Sequence, residues 1–570
     1  MTSLCVWAPI VSDLRVRADG TDTPLIPAGD GWWTGPDLPS GTDYGFLLDD
    51  ADELVPDPTS RWQPDGVHGP SRVYDQDAFV WHDQAWTGRD LRAAVVYELH
   101  IGTFTPGGTF DTAIERLEHL VRLGVTHVEV LPVNSVNGVW NWGYDGVDWY
   151  AVHEPIGGPD GFKRFVDAAH GLGLAVVLDA VYNHLGPSGN YLPRFGPYLK
   201  SGRNTWGDLV NVEERAVRSF IIDNAVMWLR DYHVDALRLD AVHALQDSSP
   251  THILAELSAT TDQLSVALGR PLTLIAESDL NDPIVITPRE QGGYGLAAQW
   301  DDDVHHALHA LLTGERQGYY CDFGSLPVLA KTFTKAFLHD GTYSTFRHRE
   351  HGSPIDPCQV RGWQFVVCLQ NHDQVGNRAV GDRLPELTSP GRLRIGAVLL
   401  LTSPFTPMLW MGEEWAASTR WPFFTSHPEP ALAKATGAGR LAEFGDHGWD
   451  VSQMIDPQDP AAYRTAVLDW SEPTGDEHAA VLELYLALIA LRAAEPDLRD
   501  GDLTAVALDY DEEADWVVVH RGRFDVAVNL AAAQQSLPVT AREIVLATGP
   551  AHLEGARLVL GAESAAIVRR

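Results

Sequence analysis

The sequence predicts an α/β protein, a (β/α)8 TIM barrel with an N-terminal β-sandwich and a C-terminal antiparallel β-domain. Three observations carry that prediction. From about residue 91 to 499, apolar runs of strand length alternate with helix-like segments, the signature of a parallel sheet with helical crossovers. Several of those runs stop on acidic and imidazole side chains, and in a barrel the chemistry gathers at the C-terminal strand ends. Outside this stretch the helical period disappears on both sides, which sets expected boundaries at 1–90, 91–499 and 500–570.

The first segment is short-runned, aromatic and broken by turns, from VWAP through DGWWTGP and YGFLLDD to PDPTSRWQPDGVHGPS, as a small β-sandwich requires. Its Trp32, Trp33 and Trp62 either fill a thin core or offer faces to sugar rings. The barrel pattern then opens with AVVYELHIGTF and DTAIERLEHLVRLG, followed by THVEVLPV with FKRFVDAAHGLG. LAVVLDAVYNH precedes a helix over 214–232, and VDALRLDAV precedes ILAELSATTDQLSVAL. LTLIAESD leads into the loop-like NDPIVITPREQGGYG, where no helix is evident. GLAAQWDDD, QFVVCLQNHD and TPMLWMGEEW complete eight strands, with a helical insertion expected around 325–338. Beyond 500, runs such as WVVVHRG, DVAVNLA and AAIVRR alternate as antiparallel strands do.

Composition narrows the function. The 570 residues suffice for one large core with smaller domains attached. A formal charge of −37 repels nucleic acid backbones and anionic membranes, so neither is an expected partner. Four irregularly spaced cysteines form neither a disulfide framework nor a CxxC metal pattern. No signal peptide and no membrane-length apolar run is evident, and the expected location is cytoplasmic.

Four strand ends hold the polar groups: DAVYNH (179–184), RLDAVHA (238–244), IAES (275–278) and QNHD (370–373). One such end reads equally well as a helix cap or a core ion pair; four in one architecture do not. Asp240, Glu277 and Asp373 end three different strands and should face one cleft. A carboxylate pair is the usual equipment for cleaving a glycosidic bond. Arg238, two residues before Asp240 and on the same strand face, favours an ionised Asp240. Glu277 follows an apolar run that can keep it protonated.

These four motifs resemble the signature regions of the α-amylase superfamily of glycoside hydrolases. The resemblance implies Asp240 as nucleophile, Glu277 as general acid/base and Asp373 as transition-state stabiliser. It implies that Tyr144 lies under the sugar at the cleavage point with Asp145 beside it, and that His184, Arg238 and His372 bind that sugar or hold the nucleophile. The superfamily is retaining, which implies carboxyls roughly 5 to 5.5 Å apart. NWGYDGV, IAESDLND, AQWDDDVHHALH, LQNHDQVGNRAVGDRL and MGEEWAAS resemble, more narrowly, the family that releases trehalose from maltooligosyltrehalose. That implies hydrolysis of the α-1,4 bond beside the terminal trehalose unit and a functional partnership with a maltooligosyltrehalose synthase. The alternative is a glucan branching enzyme, which shares the sandwich and a similar first strand but differs after Asp373.

The expected substrate-binding set is completed by His243, Asp279 and Gln374, with His243 placed on the aglycone side. No metal or cofactor is expected. Many α-amylases bind calcium through an Asn like Asn183 and a His four residues after the nucleophile, where this chain has Ala244. His305, His306 and His309 lack a metalloprotease pattern and read as packing or solvated groups. Asp301 to Asp303 read either as a helix cap or, through Asp302, as a substrate contact, and Trp300 reads as core before it reads as a stacking face for sugar.

Overall fold

The computed structural model describes residues 2–446 and 453–570. Eight parallel strands close a barrel in strict sequence order. They are Val96–Leu99, His127–Val130, Ala175–Ala180, Ala236–Leu239, Thr273–Ala276, Ala298–Trp300, Phe365–Cys368 and Thr406–Trp410, numbered here as barrel strands one to eight. Nearly every strand residue is buried, because helices cover the outside and side chains fill the inside.

The crossover helices follow from their apolar spacing. In Arg215–Asp231 the buried Val217, Phe220, Ile221, Ala225 and Trp228 recur every three or four residues, so one stripe faces the sheet. Each fully buried side chain of this size contributes about 1.5–3 kcal/mol. Helix Asp302–Thr313 starts where Asp301 accepts hydrogen bonds from the backbone N–H of Asp303 and Val304, so Asp301 is the cap. It ends at Gly314 with φ 81°, a conformation that favours glycine. Between strands five and six the chain forms only the 3-10 turns Pro283–Val285 and Arg289–Gln291. The expected insertion appears as Leu326–Lys335. Helices Pro430–Asp446 and Pro460–Ala466 were not foreseen.

The N-terminal strands make two antiparallel sheets of three and four strands. The C-terminal strands make two more, of five and three. Within the N-terminal sheets, Trp33 donates its indole N–H to Ala8 O at 3.2 Å, and Trp62 lies under the Arg72 guanidinium at 5.0 Å. Trp32 is 36% exposed. No described helix is long and apolar enough to cross a membrane.

Candidate active site

Strand register places the carboxylates. Asp240 and Glu277 each stand one residue past adjacent strands, and the ladder continues through them: Asp240 N–H donates to Ala180 O at 3.1 Å and Glu277 N–H to Leu239 O at 2.9 Å. Asp373 arrives differently, in the first turn of helix His372–Gly376 beyond strand seven, and its side chain is 44% exposed. Between Asp240 and Val242 the chain turns through Ala241 at φ 40°, a left-handed conformation that costs a non-glycine residue about 1–3 kcal/mol. That turn aims the Ala241 N–H at Glu277 Oε2, 2.7 Å away.

Arg238 organises the floor. It is fully buried, and its register partner on strand three is Asp179. Arg238 Nη1 donates to both Asp179 oxygens at 3.0 and 2.9 Å and to Asp240 Oδ1 at 2.6 Å. Its Nη2 lies 3.5 Å from Glu277 Oε2, so one guanidinium spans both carboxylates. Trp300 is core here: its ring packs 4.4 Å from the Arg238 guanidinium carbon.

The two carboxyls are driven apart. Burial raises the pKa of Asp240, but the Arg238 and His184 charges and the Asn183 amide outweigh it, and the net direction is down. Asn183 Nδ2 donates to Asp240 Oδ2 at 2.7 Å and to its backbone carbonyl at 3.0 Å. For Glu277, burial and then repulsion from Asp240 and Asp373 exceed the pull of Arg238, and the pKa rises. Asp302 adds another carboxyl nearby, pushed up to about 7 by burial and by Glu277 and Asp373.

His372 links the floor to the cleft wall. Its Nδ1 donates to Glu98 Oε1 at 2.5 Å and its backbone N–H to Glu98 Oε2 at 3.0 Å. Burial opposes its charge, yet Asp373 and Glu98 raise the ring to about 9. Its Nε2 therefore donates to Tyr144 OH at 2.7 Å, and that hydroxyl donates to Asp179 Oδ2 at 2.6 Å. Tyr144 stacks on His372 at 5.1 Å. His184 is held between Asn183 Oδ1 at 2.6 Å and the Tyr144 carbonyl at 2.8 Å.

An open cleft of about 1280 Å³ lies over these groups. Of the expected residues, Asp240, Glu277, Asp373, Tyr144, Asp145, His184, His243, Asp279 and His372 line it. Arg238 lies behind this lining, against Asp240. Gln374 also stands apart from it, where its Oε1 accepts from Tyr319 OH at 3.4 Å. His243 Nε2 is 3.7 Å from Asp279 Oδ1, and Arg347 reaches the same carboxylate from the hairpin 342–351 at 3.4 Å. Asp145 Oδ2 accepts from Asn141 at 2.5 Å.

The lining also holds residues that the sequence reasoning missed. Trp206 is 47% exposed and stands beside His184 at 5.9 Å and His243 at 6.1 Å. Its signal was a tryptophan in the loop NTWGD, outside any apolar run. Trp142, Phe423 and Arg440 close another side, with Arg440 4.6 Å from the Phe423 ring. Elsewhere, His309 stacks on Tyr320 at 4.4 Å and donates to Glu315 at 2.7 Å, so the three-histidine helix face is packed, not solvated. Among the described residues no group of three or more His, Cys, Asp or Glu side chains is arranged to hold a metal ion.

Comparison with known proteins agrees with this geometry. Residues 70–196 match the alpha amylase catalytic domain and residues 501–567 a domain of unknown function, DUF3459. A malto-oligosyltrehalose trehalohydrolase from Arthrobacter ramosus is 54% identical over 99% of this chain and 99% of its own. A crystal structure from Salmonella typhimurium, described as a candidate alpha amylase, superposes with a TM-score of 0.91 at 37% identity, covering 99% of this chain and 97% of that one. A glucan branching enzyme from Bacillus caldolyticus is 29% identical over only 60% of this chain and 57% of its own. Four motifs folded onto one cleft, and identity that runs the length of both chains, show that the chain belongs to the malto-oligosyltrehalose trehalohydrolase family of the α-amylase superfamily.

Proposed function

We propose that the protein hydrolyses the α-1,4 bond beside the terminal trehalose unit of maltooligosyltrehalose, with retention at the anomeric carbon. One observation carries the assignment of roles: a single guanidinium, Arg238, contacts two carboxyls whose surroundings drive their protonation in opposite directions. Ionised Asp240 attacks the anomeric carbon while Glu277 gives its proton to the departing glycosidic oxygen, so trehalose leaves and a glycosyl ester forms. Glu277, now a carboxylate, takes a proton from water as that water attacks the same carbon. The ester bond to Asp240 breaks and the maltooligosaccharide is released. Asp373 and the Tyr144 ring stand where positive charge develops on the sugar, while His184, through Asn183, and His372, through Tyr144, hold the floor around the nucleophile. His243, Asp279 and Gln374 are assigned to the substrate, the first two on the trehalose side beside Trp206.

Residues 91–499 form the catalytic unit in this reading, and 1–90 and 500–570 flank it. The α,α-1,1 bond must be made on the end of a glucan by another enzyme, so a maltooligosyltrehalose synthase is the functional partner. Four unpaired thiols support a cytoplasmic setting, and the acidic surface supports a protein that contacts neither nucleic acid nor membrane.

Product analysis tests the proposal. The purified protein is offered maltopentaose and, separately, the same chain capped by an α,α-1,1-linked glucose. Rapid release of free trehalose from the capped chain, with slow cleavage of the plain one, is expected. New α-1,6 branches from long amylose without trehalose would replace this reading with glucan transfer.

A further inference from the structure

The barrel has a second cavity on the face opposite the cleft. It opens beside the N-terminal ends of strands one and two, between the segment 89–95, residues 124–127 and the end of helix Asp476–Ala494, with an open volume of about 690 Å³. Arg89, Arg92, Arg492 and Arg499 line it, against one carboxylate, Asp90. In a chain with 41 basic and 78 acidic side chains, that local excess of cation runs against the surrounding charge.

The pairing of these arginines sharpens the imbalance. Asp90 is taken by Arg92, whose Nε lies 2.9 Å from both of its oxygens. Arg89 is fixed through Nε to Gly173 O at 2.6 Å, not to an acid. Arg492 is only 3% exposed, and its Nη atoms donate to the carbonyls of Leu401, Ser403, Phe405 and Leu498 at 2.6–3.1 Å. Its Nε has no hydrogen-bond partner among the described residues. Burial, and then the neighbouring charges of Arg521 and Arg499, together lower the Arg492 pKa to about 9. Neither Arg492 nor Arg499 forms an ion pair with a described carboxylate. A buried cation without a counter-charge is costly unless an anion completes it.

We infer that this cavity binds the phosphoryl group of a small molecule, at a site separate from the catalytic cleft. Arginine forks match phosphate geometry. Arg89 and Arg492 are already held in place by backbone carbonyls, so binding does not have to order them. The volume admits a hexose phosphate, and the side chains that contact it are Arg89 and Arg499, with the buried charge of Arg492 behind them. The inference goes beyond the glycosidase reading and does not depend on it.

The test is calorimetric titration of the full-length protein with inorganic phosphate and with glucose 6-phosphate, each against sodium chloride at matched ionic strength. Saturable binding of at least one phosphate compound is expected. Binding of glucose 6-phosphate alone, or more tightly, identifies a sugar phosphate as the occupant; equal binding identifies free phosphate. Arg89→Gln combined with Arg499→Gln, both exposed positions, should weaken that binding by ~10-fold or more while leaving glucan hydrolysis unchanged. Asp240→Asn should bind the phosphate compound as the wild type does. No saturable binding, binding unaffected by the two arginine substitutions, or binding lost in the presence of maltopentaose would each overturn the inference.

Discussion

Two residues along a strand separate two very different layers inside the barrel. Val96 lies below Glu98, Val177 below Asp179, Ala236 below Arg238 and Ile275 below Glu277. The lower members belong to one apolar cluster with Ala298, Val366 and Met408, whereas the upper members are ionisable. On strands six and seven the upper positions remain apolar, Trp300 and Cys368, so the ionisable groups are gathered on strands one to five and Asp373 reaches them from the helix beyond strand seven. The same backbone thus provides a packed base that fixes strand register and a polar upper layer whose groups are incompletely satisfied. The lesson is a division of labour along each strand: substitutions below should change stability, and substitutions above should change chemistry.

The largest break in that comparison is Asp240→Asn. The amide keeps the shape and the contact with Asn183 but cannot attack, so kcat should fall on the order of 10⁴-fold or more. Substrate binding by calorimetry should persist; a wild-type rate would remove Asp240 from the mechanism. Glu277→Gln comes next, with kcat expected to fall ~10²- to 10⁴-fold. Its pH profile carries the sign. In the proposed mechanism Asp240 must be ionised and Glu277 protonated, so kcat/KM of the wild type should decline as pH falls through the lowered Asp240 value and as pH rises through the raised Glu277 value. In Glu277→Gln the alkaline decline should vanish, and its persistence would assign that limb to another group.

Arg238→Met tests the floor itself. It leaves Asp179 and Asp240 buried without their shared cation, and removing one partner of a buried pair costs about 3–5 kcal/mol. Denaturant titration should show that loss, and the acid limb of kcat/KM should move to higher pH because Asp240 loses the charge that lowered it. An unmoved acid limb would mean that Asn183 and His184 suffice.

How much of this was legible in the sequence follows from the same layering. Asp240, Glu277 and Asp373 stood out because each interrupts an apolar run at its end, and chain order alone assigned them to different strands. Asp301 was readable as a cap from the run of aspartates before a helix. Glu98 and Glu129 were passed over, since single acids within VYEL and HVEV look like ordinary strand residues until closure of the barrel turns them inward. Trp206 and Arg440 lie in a loop and in a helix that no period announced, and which of their faces meets the cleft is set by tertiary packing. The fifth crossover lacks an α-helix because NDPIVITPREQGGYG has prolines and glycines where a helix needs continuous formers, and that absence was visible in the residues.

Two small substitutions sharpen the comparison further. Ile275→Val in the lower layer removes one methylene from a close-packed base and should cost about 0.5–1.5 kcal/mol of stability with kcat unchanged. Glu129→Gln in the upper layer should have the smallest effect of all. Glu129 is in register with Glu98 on strand one, it is 1% exposed, and neither of its oxygens has a hydrogen-bond partner among the described residues. Burial, then the charges of Glu98 and Asp179, push its carboxyl well above the ordinary glutamate range, against the opposing pull of Arg238 and His372. An uncharged acid is replaced at nearly constant volume by an uncharged amide, so unfolding free energy should change by less than about 1 kcal/mol and both limbs of kcat/KM should stay where they are. If Glu129 were ionised, the same substitution would remove a negative charge facing His372 and Arg238. The Glu277 limb would then move to lower pH, and the upper layer would hold one more anion than its two cations are arranged to balance.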